Sequence, residues 1–214
     1  MSICDLIEKG DIRALQTHLK NHPAKANDNH SSGISALMFA LYYQRKDMAE
    51  VIASYKLSCN FGELIAMGRL EDVRAQLDAD ISLLKQPSPD GFYPLHYAAY
   101  FKTDEILAYL IQKGCNLNIP AENPSAVCPI HTAVAAGDAA CVTLLTEAGC
   151  LVNVKQAGGW TPLMAAAKSG RQDLIDILLA VKADPLLTSD DGQTASDLAR
   201  EATHTQISLA LDQG

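Results

Sequence analysis

Six histidines, six cysteines and three turn aspartates are the residues in this chain whose types could do chemistry. His18 and His22 stand four apart, but His22 lies beside Pro23 at a helix end, and no carboxylate or cysteine completes a ligand set. Cys4, Cys59, Cys115, Cys128, Cys141 and Cys150 contain no Cys-x-x-Cys pair, which argues against a zinc site or a dithiol redox centre. Nothing in the sequence near Cys4 or Cys59 would lower a thiol pKa. Asp90, Asp190 and Asp191 sit in turn segments, where aspartate commonly bonds its own backbone. No nucleophile elbow, phosphate-cradling glycine loop or His-Glu-x-x-His stretch occurs. The expectation is a chain with no catalytic residue, no metal ligand set and no cofactor.

The elements that must position these residues are repeats. Gly159–Gly170 (GWTPLMAAAKSG) is the best-formed copy of a unit that returns as 126–137 and, shorter, as 91–99. Thr161 can cap a helix, and Pro162 at the first helical position gives up an N–H that would be unpaired anyway. Ala165–Ala167 keep that helix thin, and Gly170 supplies the turn to a second helix. Leu174, Ile175, Ile177, Leu178 and Leu179 make the second helix apolar over a face that only stacked neighbours can bury. From Gly91 onward the period is close to 33, with two extra residues in the 120–125 loop, expected to be the more mobile one.

The N-terminal part follows a longer rhythm. Asp5–Gly10 and Glu63–Gly68 are related by an offset of 58, which carried on without a gap places Leu37 on Leu95, Ala40 on Ala98 and Ile52 on Leu110. Residues 5–60 and 63–118 therefore read as an internal duplication, each copy a helix pair without a hairpin followed by a full unit. Composition is globular, 48% hydrophobic, with a formal net charge of −8 that disfavours nucleic acid as partner. No apolar run approaches the roughly 18 residues of a membrane span, and the N-terminus lacks the layout of a signal peptide. A reduced, cytoplasmic compartment, no membrane partner and a monomeric state are expected.

Tyr93–Ala99, Cys128–Val134 and Thr161–Ala167, with the tail Leu144–Asn153, resemble the ankyrin repeat. The resemblance implies an all-α solenoid of stacked helix-turn-helix units with short β-hairpin projections. About seven units follow: a cap at 1–26, repeats at 27–60, 61–86, 87–119, 120–154 and 155–187, and a cap at 188–214, together one ankyrin-repeat domain. It implies that His96 and His131 hydrogen-bond backbone between units, and that Cys115 and Cys150, where the family has alanine, pack inertly. It also implies a concave face, built from hairpin tips and first-helix ends, that binds a partner protein without catalysis. Carried over unit by unit, that face comprises Ile34, Tyr42, Tyr43, Met67, Asp90, Phe92, Tyr100, Phe101, Val127, Trp160 and Lys168. Phe92 and Trp160 are expected to stand exposed at their tips; Tyr43 and Phe101 either stand exposed or pack between units. Aromatic side chains are favoured interface anchors. Two alternatives use the same face: a specific inhibitor or immunity-type protein that neutralises an enzyme or toxin, seated where the third unit lacks a hairpin, or a bacterial effector acting on host proteins.

Overall fold

A computed structural model describes residues 2–212, so positions 1, 213 and 214 of the expected caps lie outside the described residues. Its helices come in pairs: α1 (Ile3–Lys9) with α2 (Ile12–Asn21), α3 (Ala36–Tyr42) with α4 (Lys46–Tyr55), α5 (Phe61–Ala66) with α6 (Leu70–Ala79), and α7 (Pro94–Tyr100) with α8 (Asp104–Gln112). Three more follow: α9 (Pro129–Ala136) with α10 (Ala139–Glu147), α11 (Pro162–Lys168) with α12 (Gln172–Ala180), and α13 (Ala195–Glu201) with α14 (Thr205–Leu211). The fold is an all-α repeat stack.

The 58-residue rhythm is visible in the element bounds. α2 and α6, and likewise α3 and α7, start and end 58 residues apart, as do the 3₁₀ turns Pro23–Asn27 and Ile81–Lys85. Even the strained backbone repeats: Gln44 and Lys102 both take φ 57°, in the turn where α1–α2, α5–α6, α9–α10 and α11–α12 use glycine.

Local chemistry explains where the first helices begin. Side-chain oxygens of Ser2, Ser35, Asn60, Thr161 and Thr194 accept from the backbone N–H three residues on. Tyr93 and Cys128 occupy the same position before α7 and α9. There the satisfaction runs the other way: Nδ1 of His96 and His131 accepts from the N–H of Tyr93 and Cys128 at 3.2 and 3.0 Å.

The chain divides into two compact units, Met1–Leu83 with Ser88–Asp90, and Leu84–Pro87 with Gly91–Gly214. In the first, α3 packs on α1, α4 and α5, and α2 packs on α4, around Leu6, Ile7, Leu15, Leu37, Met48, Ile52 and Ile65. In the second, the first helices α7, α9, α11 and α13 pack in succession, each backed by its partner. Leu95, Leu107, Leu110, Ile130, Leu145, Leu163 and Leu178 are buried between them. Ala166 and Ala167 are fully buried, which is what the thin helix permits. Truncating a core leucine such as Leu145 to alanine costs about 2–5 kcal/mol in comparable cores.

The projections differ from the expected β-hairpins: no strand forms among the described residues, and one isolated antiparallel bridge joins Asn29 to Ser35. The projections at 30–34, 156–160 and 189–193 are turns closed by a pair of backbone bonds, such as Gln156 N–H to the Trp160 carbonyl at 2.9 Å and Gly159 N–H to the Gln156 carbonyl at 3.0 Å. A five-residue tip is too short for a ladder, so the tips bond to each other instead. In the second unit Glu122 N–H donates to Gly91, Ala157 to Ser125 and Asp190 to Gly158, at 2.8, 3.0 and 2.9 Å. Gly91 and Gly159 are required by this closeness: a Cβ on them would lie 2.6 Å from the Glu122 carbonyl oxygen and from the Asp190 nitrogen. The 120–125 loop, expected to be loose, is likewise tied down, by Ala121 N–H to the Val127 carbonyl at 2.8 Å.

Candidate functional site

In the first unit the projection 28–35 and the end of α3 supply the site. His30 stacks on Phe39 at 4.5 Å between ring centroids, and Phe39 lies 4.7 Å from Tyr43. Tyr43 is 47% exposed, so this short column ends in solvent. Ile34 is half-buried, its carbonyl accepting from His30 N–H at 2.8 Å. The Tyr42 hydroxyl donates to Asp90 Oδ2 at 2.9 Å, and the Ser88 hydroxyl donates to Oδ1. Asp90 is thus bound to side chains of its own unit. Met67, half-buried, lines a cavity of about 30 Å³ with Leu41, Ala49 and Ala66.

Between α4 and α5 there is no projection, and a polar joint takes its place. Glu63 is completely buried. Its Oε2 accepts from Asn60 N–H at 2.8 Å, while Oε1 accepts from the Ser35 hydroxyl at 2.5 Å and Lys56 Nζ at 2.8 Å. Sequence reasoning missed this joint; a glutamate in an apolar run, seven residues after a lysine, was its only trace.

In the second unit the aromatics form a continuous line. Phe92 lies 5.7 Å from His96 and 6.2 Å from Tyr97, Tyr97 lies 6.2 Å from Phe101, and Phe101 meets Tyr100 edge-on at 5.1 Å. Tyr100 is 42% exposed and Phe101 is half-buried. Phe92 and Trp160 do not stand free at their tips: both are half-buried. Phe92 folds back onto His96 and Tyr97, and Trp160 carries the Lys168 ammonium 4.8 Å above its ring. Buried Tyr97, which links Phe92 to Phe101, had not been singled out.

Val127 and Trp160 occupy equivalent tips, and the motif histidines hold them. Nε2 of His96 bonds the Val127 carbonyl at 2.8 Å, and Nε2 of His131 bonds that of Trp160 at 3.2 Å. Since Nδ1 accepts, each ring is the neutral tautomer with the proton on Nε2, and both nitrogens are engaged. Burial pushes both imidazole pKa values down, that of His131 to about 4. Such a ring is a fixed linker with no nitrogen left to take a substrate proton.

The thiols are equally occupied by packing. Burial raises Cys115 to about 12 and Cys150 to about 11, and also raises Cys4 and Cys59. Cys141, also raised mainly by burial, donates to Asp104 Oδ1 at 3.1 Å. Asp104, Asp138 and Cys141 are the one metal-compatible trio among the described residues. Its protonated thiol already serves the carboxylate, so the trio reads as structural. No helix among the described residues is long and apolar enough to cross a membrane.

The family model described as "Ankyrin repeats (3 copies)" matches residues 3–121, 63–156, 95–189 and 130–211. Protein phosphatase 1 regulatory subunit 27 of Homo sapiens is 38% identical over 76 residues, 36% of this chain and 49% of that protein. Protein phosphatase 1 regulatory subunit 12A of Mus musculus is 42% identical over 72 residues, 34% of this chain and 7% of that protein. Tyrosine-protein kinase Shark of Drosophila melanogaster is 32% identical over 120 residues, 55% of this chain and 12% of that protein. The chain thus spans half or less of the length of these relatives.

Proposed function

The chain belongs to the ankyrin repeat family, and on that premise we propose that it is a non-catalytic module that binds another protein through the tips and first-helix ends of its repeats. One observation carries the reading: the polar groups of the repeat motif are consumed by the fold, while large aromatic side chains reach solvent at the tip and helix-end positions. Tyr43 at 47% and Tyr100 at 42% exposure lead this set. In the second unit Phe92, Tyr100, Phe101, Val127, Trp160 and Lys168 make one face; in the first, Ile34, Tyr42, Tyr43, Met67 and Asp90 make another. Two of the relatives are named as phosphatase regulatory subunits, which supports a protein partner. The excess of acidic groups favours a protein with basic surface over nucleic acid, and the module acts as a monomer in the cytoplasm.

A Phe92→Ala, Tyr100→Ala, Trp160→Ala set tests the face. Interface anchors cost about 2 kcal/mol or more on truncation, so calorimetric affinity for a captured partner should fall at least about thirtyfold per anchor. Variants that keep the wild-type circular dichroism and bind as wild type does would reject it. A second reading, neutralisation of a specific enzyme or toxin, is favoured by the linker that replaces the third projection, where Leu57 is fully exposed. It requires a stoichiometric complex that abolishes the target's activity and weakens on Leu57→Asp.

A further inference from the structure

We propose that the corner formed by Trp160, Asp190 and Asp191 in the second unit is a receptor for an arginine side chain of the partner. The proposal rests on the protein-binding reading and names the chemistry that this part of the face selects.

The indole is held in place before any ligand arrives. The Trp160 carbonyl accepts from both Gln156 N–H and His131 Nε2, and the ring edge lies against Gly158, where a Cβ would sit 3.3 Å from Trp160 Cδ1. The ring already serves as a cation seat, since Lys168 Nζ rests 4.8 Å from its centroid. Lys168 is exposed at the end of α11 and makes no ion pair among the described residues, so the ring is the ammonium's one fixed neighbour there.

The adjoining tip supplies the counter-charge. Asp190 and Asp191 are exposed, and neither carboxylate is engaged by a side chain among the described residues. Asp190 N–H is fixed to the Gly158 carbonyl at 2.9 Å, and its Oδ1 lies 2.5 Å from the place a Cβ of Gly159 would occupy. A carboxylate therefore packs against the residue that precedes Trp160. The second unit as a whole holds thirteen Asp and Glu against eight Lys and Arg.

Guanidinium suits this arrangement better than ammonium. It is planar, weakly hydrated and able to stack on an indole while its N–H fork bonds a carboxylate. Lys168 meets the ring alone and reaches neither aspartate, so an incoming arginine makes both contacts and displaces it. On one side the step is uncrowded, because the positions equivalent to Trp160 and Lys168 in the preceding repeat are Val127 and Ala135.

Trp160 is the single tryptophan of the chain, so its indole N–H resonance and its fluorescence report this corner alone. The probe is a blocked Gly-Ser-Arg-Ser-Gly peptide, compared with its lysine and citrulline counterparts. The arginine peptide should shift the indole resonance saturably, with affinity on the order of tenfold above the other two. Lys168→Met should tighten it, and Asp190→Asn with Asp191→Asn should weaken it by a similar factor; all three positions are exposed, so the fold is spared. Equal response to arginine and citrulline, or indifference to these substitutions, overturns the proposal. A partner that still binds the double asparagine variant but is lost on Tyr100→Ala also overturns it and leaves the protein-binding reading intact. An arginine response alongside partner binding that no residue of the face affects sinks that reading instead.

Discussion

In the first unit the joint between α3 and α5 is closed by a buried carboxylate, whereas in the second the joints between α7, α9 and α11 are closed by neutral imidazoles. His96 and His131 reach forward: each satisfies its own helix start with Nδ1 and bonds the next tip's carbonyl with Nε2. That device needs a tip to reach. The 61–86 repeat has none, and the position in α3 equivalent to His96 is Met38, as that in α11, which does face a tip, is Met164. The joint is instead closed by the Ser35 hydroxyl, which donates to Glu63. The glutamate then needs a cation, which Lys56 supplies from the linker. Where the projection is missing, a buried ion pair takes the place of the histidine bond.

The largest test of this contrast removes the charge from the first joint. Glu63→Gln leaves Lys56, whose side chain is 8% exposed, without its counter-ion. Breaking a buried pair in this way costs about 3–5 kcal/mol, while replacing both partners with apolar residues is often close to neutral. Urea unfolding at neutral pH should therefore show a severe loss for Glu63→Gln and recovery for Lys56→Met combined with Glu63→Leu. A loss under about 1 kcal/mol for the single variant would mean the hydroxyl and backbone bonds alone hold the joint.

The second test uses acid against the second unit. His131 binds its proton less readily when folded (about 4) than when unfolded (about 6.5). Between those values the unfolded chain holds more protons, so stability declines as pH falls from about 6.5 to 4 and is complete above that window. The full span corresponds to about 3 kcal/mol, and His96 adds in the same direction. Trp160 fluorescence, which reports the second unit, should show its chemical midpoint falling across this window, and His131→Gln should flatten the slope. An unchanged slope in His131→Gln would remove the imidazole from the acid response.

The smallest effect comes from a feature that the two units share. Gln44 and Lys102 hold the left-handed conformation that glycine adopts without a Cβ penalty. Gln44→Gly and Lys102→Gly should each stabilise by about 0.5–1 kcal/mol, and by similar amounts, since the two turns are copies. Unequal gains in thermal midpoint would show that the duplicated turns have diverged in their surroundings.

The sequence was legible where one residue type has one use. The Thr-Pro start, the alanine run, the histidines at 96 and 131 and the offset of 58 each specify local geometry, and each is found in place. Exposure of the aromatics was harder to read. Whether Phe92 stands free depends on Tyr97 lying within 6.2 Å of it, and whether Trp160 does depends on a lysine eight residues away turning back over the ring. Strand pairing at the tips failed for a related reason: two residues on either side of a turn allow a pair of hydrogen bonds and no ladder. The Glu63 joint was invisible because its partners, Ser35 and Lys56, come from different segments that only packing brings together.

The ties between repeats have a consequence for how such a chain can change length. Gly91 to Glu122, Ser125 to Ala157, Gly158 to Asp190 and the two histidine bonds all span about one repeat, 29 to 32 residues, and none skips a neighbour. Closing any one of them therefore costs the same modest loop entropy wherever it lies, and order can spread from any starting point. A gene segment copied in tandem then inserts a block whose two ends find the surfaces they already fit. The 58-residue spacing of α2 to α6 and of α3 to α7 has the length of such a block, close to two repeats, and at Glu63 one joint is closed by a salt bridge in place of a turn.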